Sequence, residues 1–262
     1  MPETTTPALP TAPLWRRIVG SERLVLAVVC AVALLFRFRW GLGWVEPADF
    51  FAYLTIQSNL AFVVVAAWAG VIAWRGVAAS RRFDAIRAGV LTCTVTAGIV
   101  YALIVQQSTV RGIQVNVPWS DVILHFVLPV LAIADWMLTP RSRVPKKVVL
   151  FVLAYVGIWG AGTMIRGSIT GWYPYYFLDP NQTNGIGEFV LLSSVAVAIF
   201  VVVGITLILL RPPTARYPAE RKAPGSSGPS PTPSRRQHPR VRVHSGRPRH
   251  PEARDDPSLA AD

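Results

Sequence analysis

Six apolar blocks alternate along this chain with short polar connections. A helix rises about 1.5 Å per residue, so crossing a hydrocarbon layer of about 30 Å takes roughly 20 apolar residues. The blocks predict helices over residues 22–40, 50–74, 84–106, 120–138, 147–164 and 187–210. The first follows Arg16, Arg17 and Arg23 as a secretory leader would. It runs into Phe36-Arg37-Phe38-Arg39-Trp40 with no small-residue cleavage site, and so reads as a retained span. Ser120 and Asp121 are placed to cap the fourth. The fifth carries Gly157, Gly160, Ala161 and Gly162, which suit close helix packing. The pattern breaks at Tyr53-Leu54-Thr55-Ile56-Gln57-Ser58-Asn59-Leu60, a polar run just inside the second span. Amides and hydroxyls in hydrocarbon cost a few kcal/mol each unless they find partners. These residues must therefore face protein or a wet cavity.

Composition agrees with an all-α polytopic membrane protein. Of the 262 residues, 52% are hydrophobic and 15% charged. A soluble domain is usually about 25% charged. Three regions result: a disordered N-terminus over 1–21, a six-helix domain over 22–210, and a disordered Pro/Arg-rich tail over 211–262. The tail holds 11 of the 26 Lys and Arg against five acids, supplying half of the net +12. Nucleic-acid binding is not implied by charge placed this way. The tail is either simply solvated or touches anionic lipid headgroups.

Charge also gives an orientation. The N-terminus, the connections after helices 2 and 4, and the tail contain 22 of the 26 cations; only Arg37, Arg39, Arg111 and Arg166 lie on the other side. By the positive-inside rule both termini are cytoplasmic, in a multi-pass cell-membrane protein. Trp40, Trp44, Trp119 and Trp172 then mark the outer boundary, and Trp74 and Trp136 the inner one. Cys30 and Cys93 sit alone in apolar blocks and read as buried packing residues. No phosphate loop, metal-ligand cluster or repeat is present, and no cofactor is implied.

The candidate chemistry lies on helices 2 and 4. Counted from helix starts at Phe50 and Ser120, Thr55 and His125 sit at matching depths, about 7–8 Å below the outer end. His125 is the one histidine outside the tail, and an ionisable group within a membrane is a functional candidate by default. Asp121, four residues earlier on the same face, is placed to accept an imidazole N–H and fix the tautomer. Thr55, Ser58 and Asn59 share a face of helix 2. With a base in reach, Thr55 can attack an ester carbonyl, and Ser58 or Asn59 can supply an oxyanion donor. Pro129 leaves the His125 carbonyl without its helical N–H, which predicts a kink or cavity there. Arg37, Arg39 and Arg166 either snorkel, pair with Asp121, or hold a lipid phosphate or carboxylate. Asp135 pairs with an arginine at the inner end. A second reading stays open: the same polar residues are interhelical glue in a structural or interaction component, or belong to a small-solute carrier.

Three stretches carry a resemblance: YLTIQSNL at the start of helix 2, DVILHFVLPVLAIADW on helix 4, and GWYPYYFLDP between helices 5 and 6. Together they resemble the bacterial six-helix membrane proteins called Pr-six-Pr, distant relatives of the eukaryotic androgen-induced-gene family (the FAR-seventeen-a type). Those relatives are membrane hydrolases that cleave fatty acid esters of hydroxy fatty acids with a threonine and a histidine. The resemblance spans about residues 22–210. It implies a lipid-ester substrate, Thr55 as nucleophile and His125 as base. The aromatic loop over residues 172–177 would then roof the entrance or anchor at the interface.

Overall fold

The computed structural model describes residues 14–43, 46–110, 116–139 and 141–210. The expectations for residues 1–13, Trp44, Arg111 and the tail lie outside these. The described chain is all-α, with six helices long and apolar enough to cross a membrane. They are α1 (Leu14–Gly41), α2 (Leu54–Trp74), α3 (Arg81–Val110), α4 (Trp119–Leu138), α5 (Lys147–Thr170) and α6 (Ile186–Leu209). A one-turn helix, Pro47–Phe50, precedes α2, and a 3₁₀ turn, Tyr176–Leu178, precedes α6. α3 is the hub, packing against α2, α4, α5 and α6. α1 pairs along α2 and also touches α4, while α5 and α6 close the far side.

α3 runs three to four residues past its expected bounds at each end, and three other boundaries differ from the hydrophobic pattern for a physical reason. α1 begins at Leu14, so residues 14–21 are helical, not disordered. These turns are held by tertiary contacts that hydropathy does not register. Arg16 Nη1 donates to the Gly76 carbonyl at 2.7 Å. A Cβ on Gly20 would lie 2.9 Å from the Gly70 carbonyl oxygen, and one on Gly70 2.9 Å from that of Gly20. Glycine on both sides lets α1 and α2 cross at backbone distance.

The second span is broken where an unbroken helix is predicted. Pro47 opens a single turn, and Tyr53 is extended before α2 starts at Leu54. The carbonyls exposed by the break find side-chain donors: Gln57 Nε2 on Phe51 at 2.9 Å and Trp159 Nε1 on Ala52 at 2.9 Å.

α5 runs past residue 164 to Thr170 and stops at Gly171, whose φ of +71° suits glycine. Its glycines do not mediate close packing: a Cβ on Gly157, Gly160 or Gly162 would meet nothing within 4 Å. They leave space.

The Arg23 end of the bundle is tied by buried charge. Asp135 receives Arg23 Nε at 2.9 Å and Arg87 Nη2 at 2.8 Å, as an inner-end pairing predicts. Arg23 also donates to Thr139 Oγ1 at 2.9 Å, and Asp84 accepts the Ser142 N–H at 2.8 Å. Trp136 is not a boundary anchor. It is 1% exposed, donates to the Leu207 carbonyl at 3.1 Å and lies under the Arg141 guanidinium at 4.0 Å. Arg141 also donates to the carbonyls of Trp136 and Leu210, joining the ends of α4 and α6. Burial and neighbouring Arg87 lower its guanidinium to about 10, so it remains charged at neutral pH.

Candidate active site

At the opposite end, Thr55 is the second residue of α2 and His125 the seventh of α4. The equal counts from the helix starts therefore do not hold, because the break at 51–53 moves the start of α2. The two side chains nevertheless line one pocket of about 150 Å³, with Arg37, Tyr101, Asp121 and Tyr175 among its walls.

α4 is altered where Pro129 predicts it. Residues Ile123–Val127 form a π turn, closed by the Leu128 N–H on the Ile123 carbonyl. With no N–H at residue 129, the His125 carbonyl turns toward α3. It abuts Gly98 so closely that a Cβ there would fall within its van der Waals shell. The wider turn presents the His125 ring to Tyr101, which stacks on it at 3.9 Å and 13°. π turns inside α-helices often mark functional positions for this reason.

The partner of His125 is Asp121, but not its carboxylate. Nδ1 of His125 lies 2.9 Å from the Asp121 main-chain carbonyl. A carbonyl only accepts, so Nδ1 carries the proton and Nε2 keeps its lone pair. The carboxylate instead receives Arg37 Nε at 2.8 Å and the Tyr101 hydroxyl at 3.2 Å. The expected carboxylate–imidazole bond is thus replaced by a main-chain one; the tautomer is fixed all the same. Asp121 does not cap α4 either, since Pro118 is the N-cap and has no side-chain bond. Ser120 Oγ is buried without a partner. Arg37 pairs with Asp121 and Arg166 with Asp49, so both are ion-paired.

Ser58 and Asn59 are turned away from the oxyanion task. Ser58 Oγ donates to the Thr55 carbonyl at 2.9 Å, and Asn59 Nδ2 to the same oxygen at 2.8 Å. Asn59 is fully buried beside Cys30, whose thiol donates to the Asn59 carbonyl at 3.5 Å. These two residues stiffen the first turns of α2 beneath Thr55.

Thr55 also borders a second, larger cavity of about 450 Å³, walled by α3, α5, α6 and the loop before α6. Its α6 wall, Phe189 to Phe200, is one helical face about 16 Å long. Gly157 and Gly160 line it from α5, and the space that they leave is part of it. The lining is almost wholly apolar; Thr96 and Ser193 contribute buried hydroxyls without partners.

The aromatic loop sits over both cavities. Tyr175 lines each of them, and its phenol oxygen accepts the Thr55 main-chain N–H at 3.3 Å. Burial pushes this phenol up to about 12, against the opposing effect of hydrogen bonds from Thr55. Tyr53 meets Trp172 and Tyr175 edge-on, both at 5.7 Å. Tyr173 lies against Gly167, where any side chain would collide with its ring. Asp179 gathers the 181–182 segment, its carboxylate accepting the Asn181 N–H at 2.9 Å and the Gln182 amide at 2.7 Å. Tyr101 and Tyr175 are site residues that spacing did not single out. Tyr175 had a signal in the aromatic run; Tyr101, in an apolar block, had none.

Among the described residues no three metal-ligating side chains gather in one place. Set against family models, curated proteins and solved structures, the chain matches none.

Proposed function

We propose that this chain is an integral membrane hydrolase that cleaves a lipid-like fatty acyl ester, with Thr55 as nucleophile and His125 as base. The observation that carries the reading is the place of Thr55 at the meeting of two unlike cavities. An ester bound across them sets its aliphatic part in the 450 Å³ apolar cavity and its carbonyl at Thr55. Its alcohol part lies in the pocket with His125. Such polarity matching is how lipid sites orient a substrate.

The Thr55 hydroxyl bonds to the acyl carbon as its proton passes to Nε2 of His125. The ester C–O bond then breaks, and the alcohol leaves with that proton. Water attacks the acyl-threonine by the same route, releasing the acid and restoring Thr55. Thr55 lies in the first turn of α2, where the helix dipole favours the negative charge that develops during attack. The resemblance to the six-helix hydrolases implies the same two residues. The positive-inside pattern puts this end at the outer leaflet, with both termini cytoplasmic.

Ser58, Asn59 and Asp121 have the protein-bound partners that interhelical glue requires. Thr55 and His125 line open space, as Ser58 and Asn59 do not, and unlike Asp121 neither has an ion pair there, which supports the enzymatic reading over a structural one. The test is labelling of the purified protein with an alkyl fluorophosphonate, with peptide mapping of the adduct. The label should fall on Thr55, vanish in Thr55→Ala, and slow by about 10²–10⁴-fold in His125→Ala. Labelling that survives Thr55→Ala refutes the assignment, as does a parent protein with neither labelling nor acyl-ester hydrolysis.

A further inference from the structure

Hydrolysis at Thr55 creates a tetrahedral intermediate whose oxygen takes up negative charge, and that oxygen needs a donor. Ser58 and Asn59 are spent on the Thr55 carbonyl. We propose that the hydroxyl of Tyr175 is the oxyanion donor of this site, an inference that rests on the hydrolytic reading above. Tyr175 lines both cavities where they meet at Thr55. Its oxygen accepts the Thr55 N–H at 3.3 Å, which sets the phenol beside the residue that attacks. Accepting that N–H uses a lone pair and leaves the phenol proton to give.

The geometry follows from connectivity. In the intermediate, Oγ1 of Thr55 and the former carbonyl oxygen are bonded to one carbon. A donor held beside Thr55 is therefore close to that oxygen, and rotation about the bond from Oγ1 to the acyl carbon can turn the oxygen toward it. The carbonyl π pair moves onto oxygen as Oγ1 bonds, and Tyr175 donates to it. The pair returns as the ester C–O bond breaks. Tyr175 keeps its proton throughout, so its role is electrostatic. The ring is held in advance by Phe177 stacked at 5.4 Å, Tyr53 edge-on at 5.7 Å and Trp159 at 5.9 Å. A donor fixed before reaction costs no reorganisation during it.

Tyr175→Phe removes the hydroxyl and keeps the ring packing. Hydrolysis of a long-chain nitrophenyl ester in detergent micelles should lose about 10²–10³-fold in kcat, with KM moving less than about threefold. Fluorophosphonate labelling of Thr55 should slow in proportion, with thermal stability little changed. Replacement of Tyr175 by 3-fluorotyrosine provides a second measurement that does not depend on how the phenylalanine variant folds. A more acidic phenol should restore turnover and move the alkaline limb of kcat to lower pH, a shift that a packing role would not produce. Full kcat in Tyr175→Phe, or an unmoved alkaline limb in the fluorotyrosine protein, overturns the assignment while leaving Thr55 as nucleophile. Absence of the Thr55 adduct in the parent protein overturns the hydrolytic reading and this one with it.

Discussion

Gly98→Ala tests the contact on which the placement of His125 depends. Pro129 deprives the His125 carbonyl of its helical donor, and the oxygen packs on the bare Cα of Gly98. A Cβ there would sit inside the contact shell of that oxygen, 3.3 Å from its carbon and 3.4 Å from Pro129 Cγ. The obstacle is backbone, so no rotamer change relieves it. Ordinary contacts of this kind lie at about 3.3–3.6 Å, and restoring one moves α4 by on the order of an ångström. Overpacking of a rigid contact costs about 1–3 kcal/mol, offset by the roughly 1 kcal/mol that alanine gains over glycine in a helix. The net loss should be about 0–2 kcal/mol. Gly157→Ala is the matched control. Nothing lies within 4 Å of its added carbon, so it should gain about 0.5–1 kcal/mol. The retreat of α4 also shifts His125 relative to Thr55, and if the two act as proposed, an ångström of misplacement costs about 10²-fold in rate. Thermal unfolding in detergent, read beside fluorophosphonate labelling, measures both effects. Equal stability of the two variants, or full labelling of Gly98→Ala, refutes the reasoning.

Three further outcomes are expected. Asp135→Ala leaves Arg23 without a carboxylate and Arg87 with only Asp84, at 3.4 Å; both cations are under 10% exposed, and the change should cost about 3–5 kcal/mol in reversible unfolding. Asp121→Asn keeps the main-chain carbonyl that orients His125, so hydrolysis should fall less than about tenfold. Loss of the Arg37 pairing in that variant should lower stability by about 1–3 kcal/mol; a rate loss equal to that of His125→Ala would mean that the carboxylate acts on the ring. Gly160→Leu fills part of the large cavity and should shift preference from long-chain toward short-chain nitrophenyl esters by about tenfold or more, with the reaction of short esters preserved. An unchanged preference would remove the acyl chain from that cavity.

The spans were legible in the sequence because hydrocarbon length and apolar runs leave few alternatives. The disturbance at His125 was legible too, since Pro129 removes one specific hydrogen bond. Boundaries held by tertiary contacts were not. The start of α1 depends on Gly20 meeting Gly70, and Arg16 meeting Gly76, across most of the first two spans. The α5 glycines show the limit of composition: small residues permit close packing, but only the neighbour decides whether it occurs. Asp121 shows the limit of spacing. The i, i+4 relation put it beside His125, yet its carboxylate had stronger claims from Arg37 and Tyr101, which no local pattern reveals. Tyr175, 120 residues from Thr55, comes to the site through the loop and the break before α2.

Within a membrane, the accounting of polar partners separates scaffold from chemistry better than polarity does. The polar run that interrupts the second span is mostly scaffold: Ser58 and Asn59 donate to one carbonyl, and Gln57 bridges Phe51 and Tyr155. The Arg23 end is scaffold of the same kind, with Asp135 meeting two cations and Asp84 an N–H. Besides buried hydroxyls such as those of Ser120 and Thr96, what remains at the other end is an imidazole with one nitrogen engaged, a phenol whose proton is not used by Thr55 N–H, and a threonine on the border of an apolar cavity. Burying such capacity is unfavourable unless something binds there. An ester that spans the two cavities meets all three at its carbonyl and leaves its chain in contact with apolar walls. A purely structural polar cluster would have no use for a 450 Å³ cavity beside it.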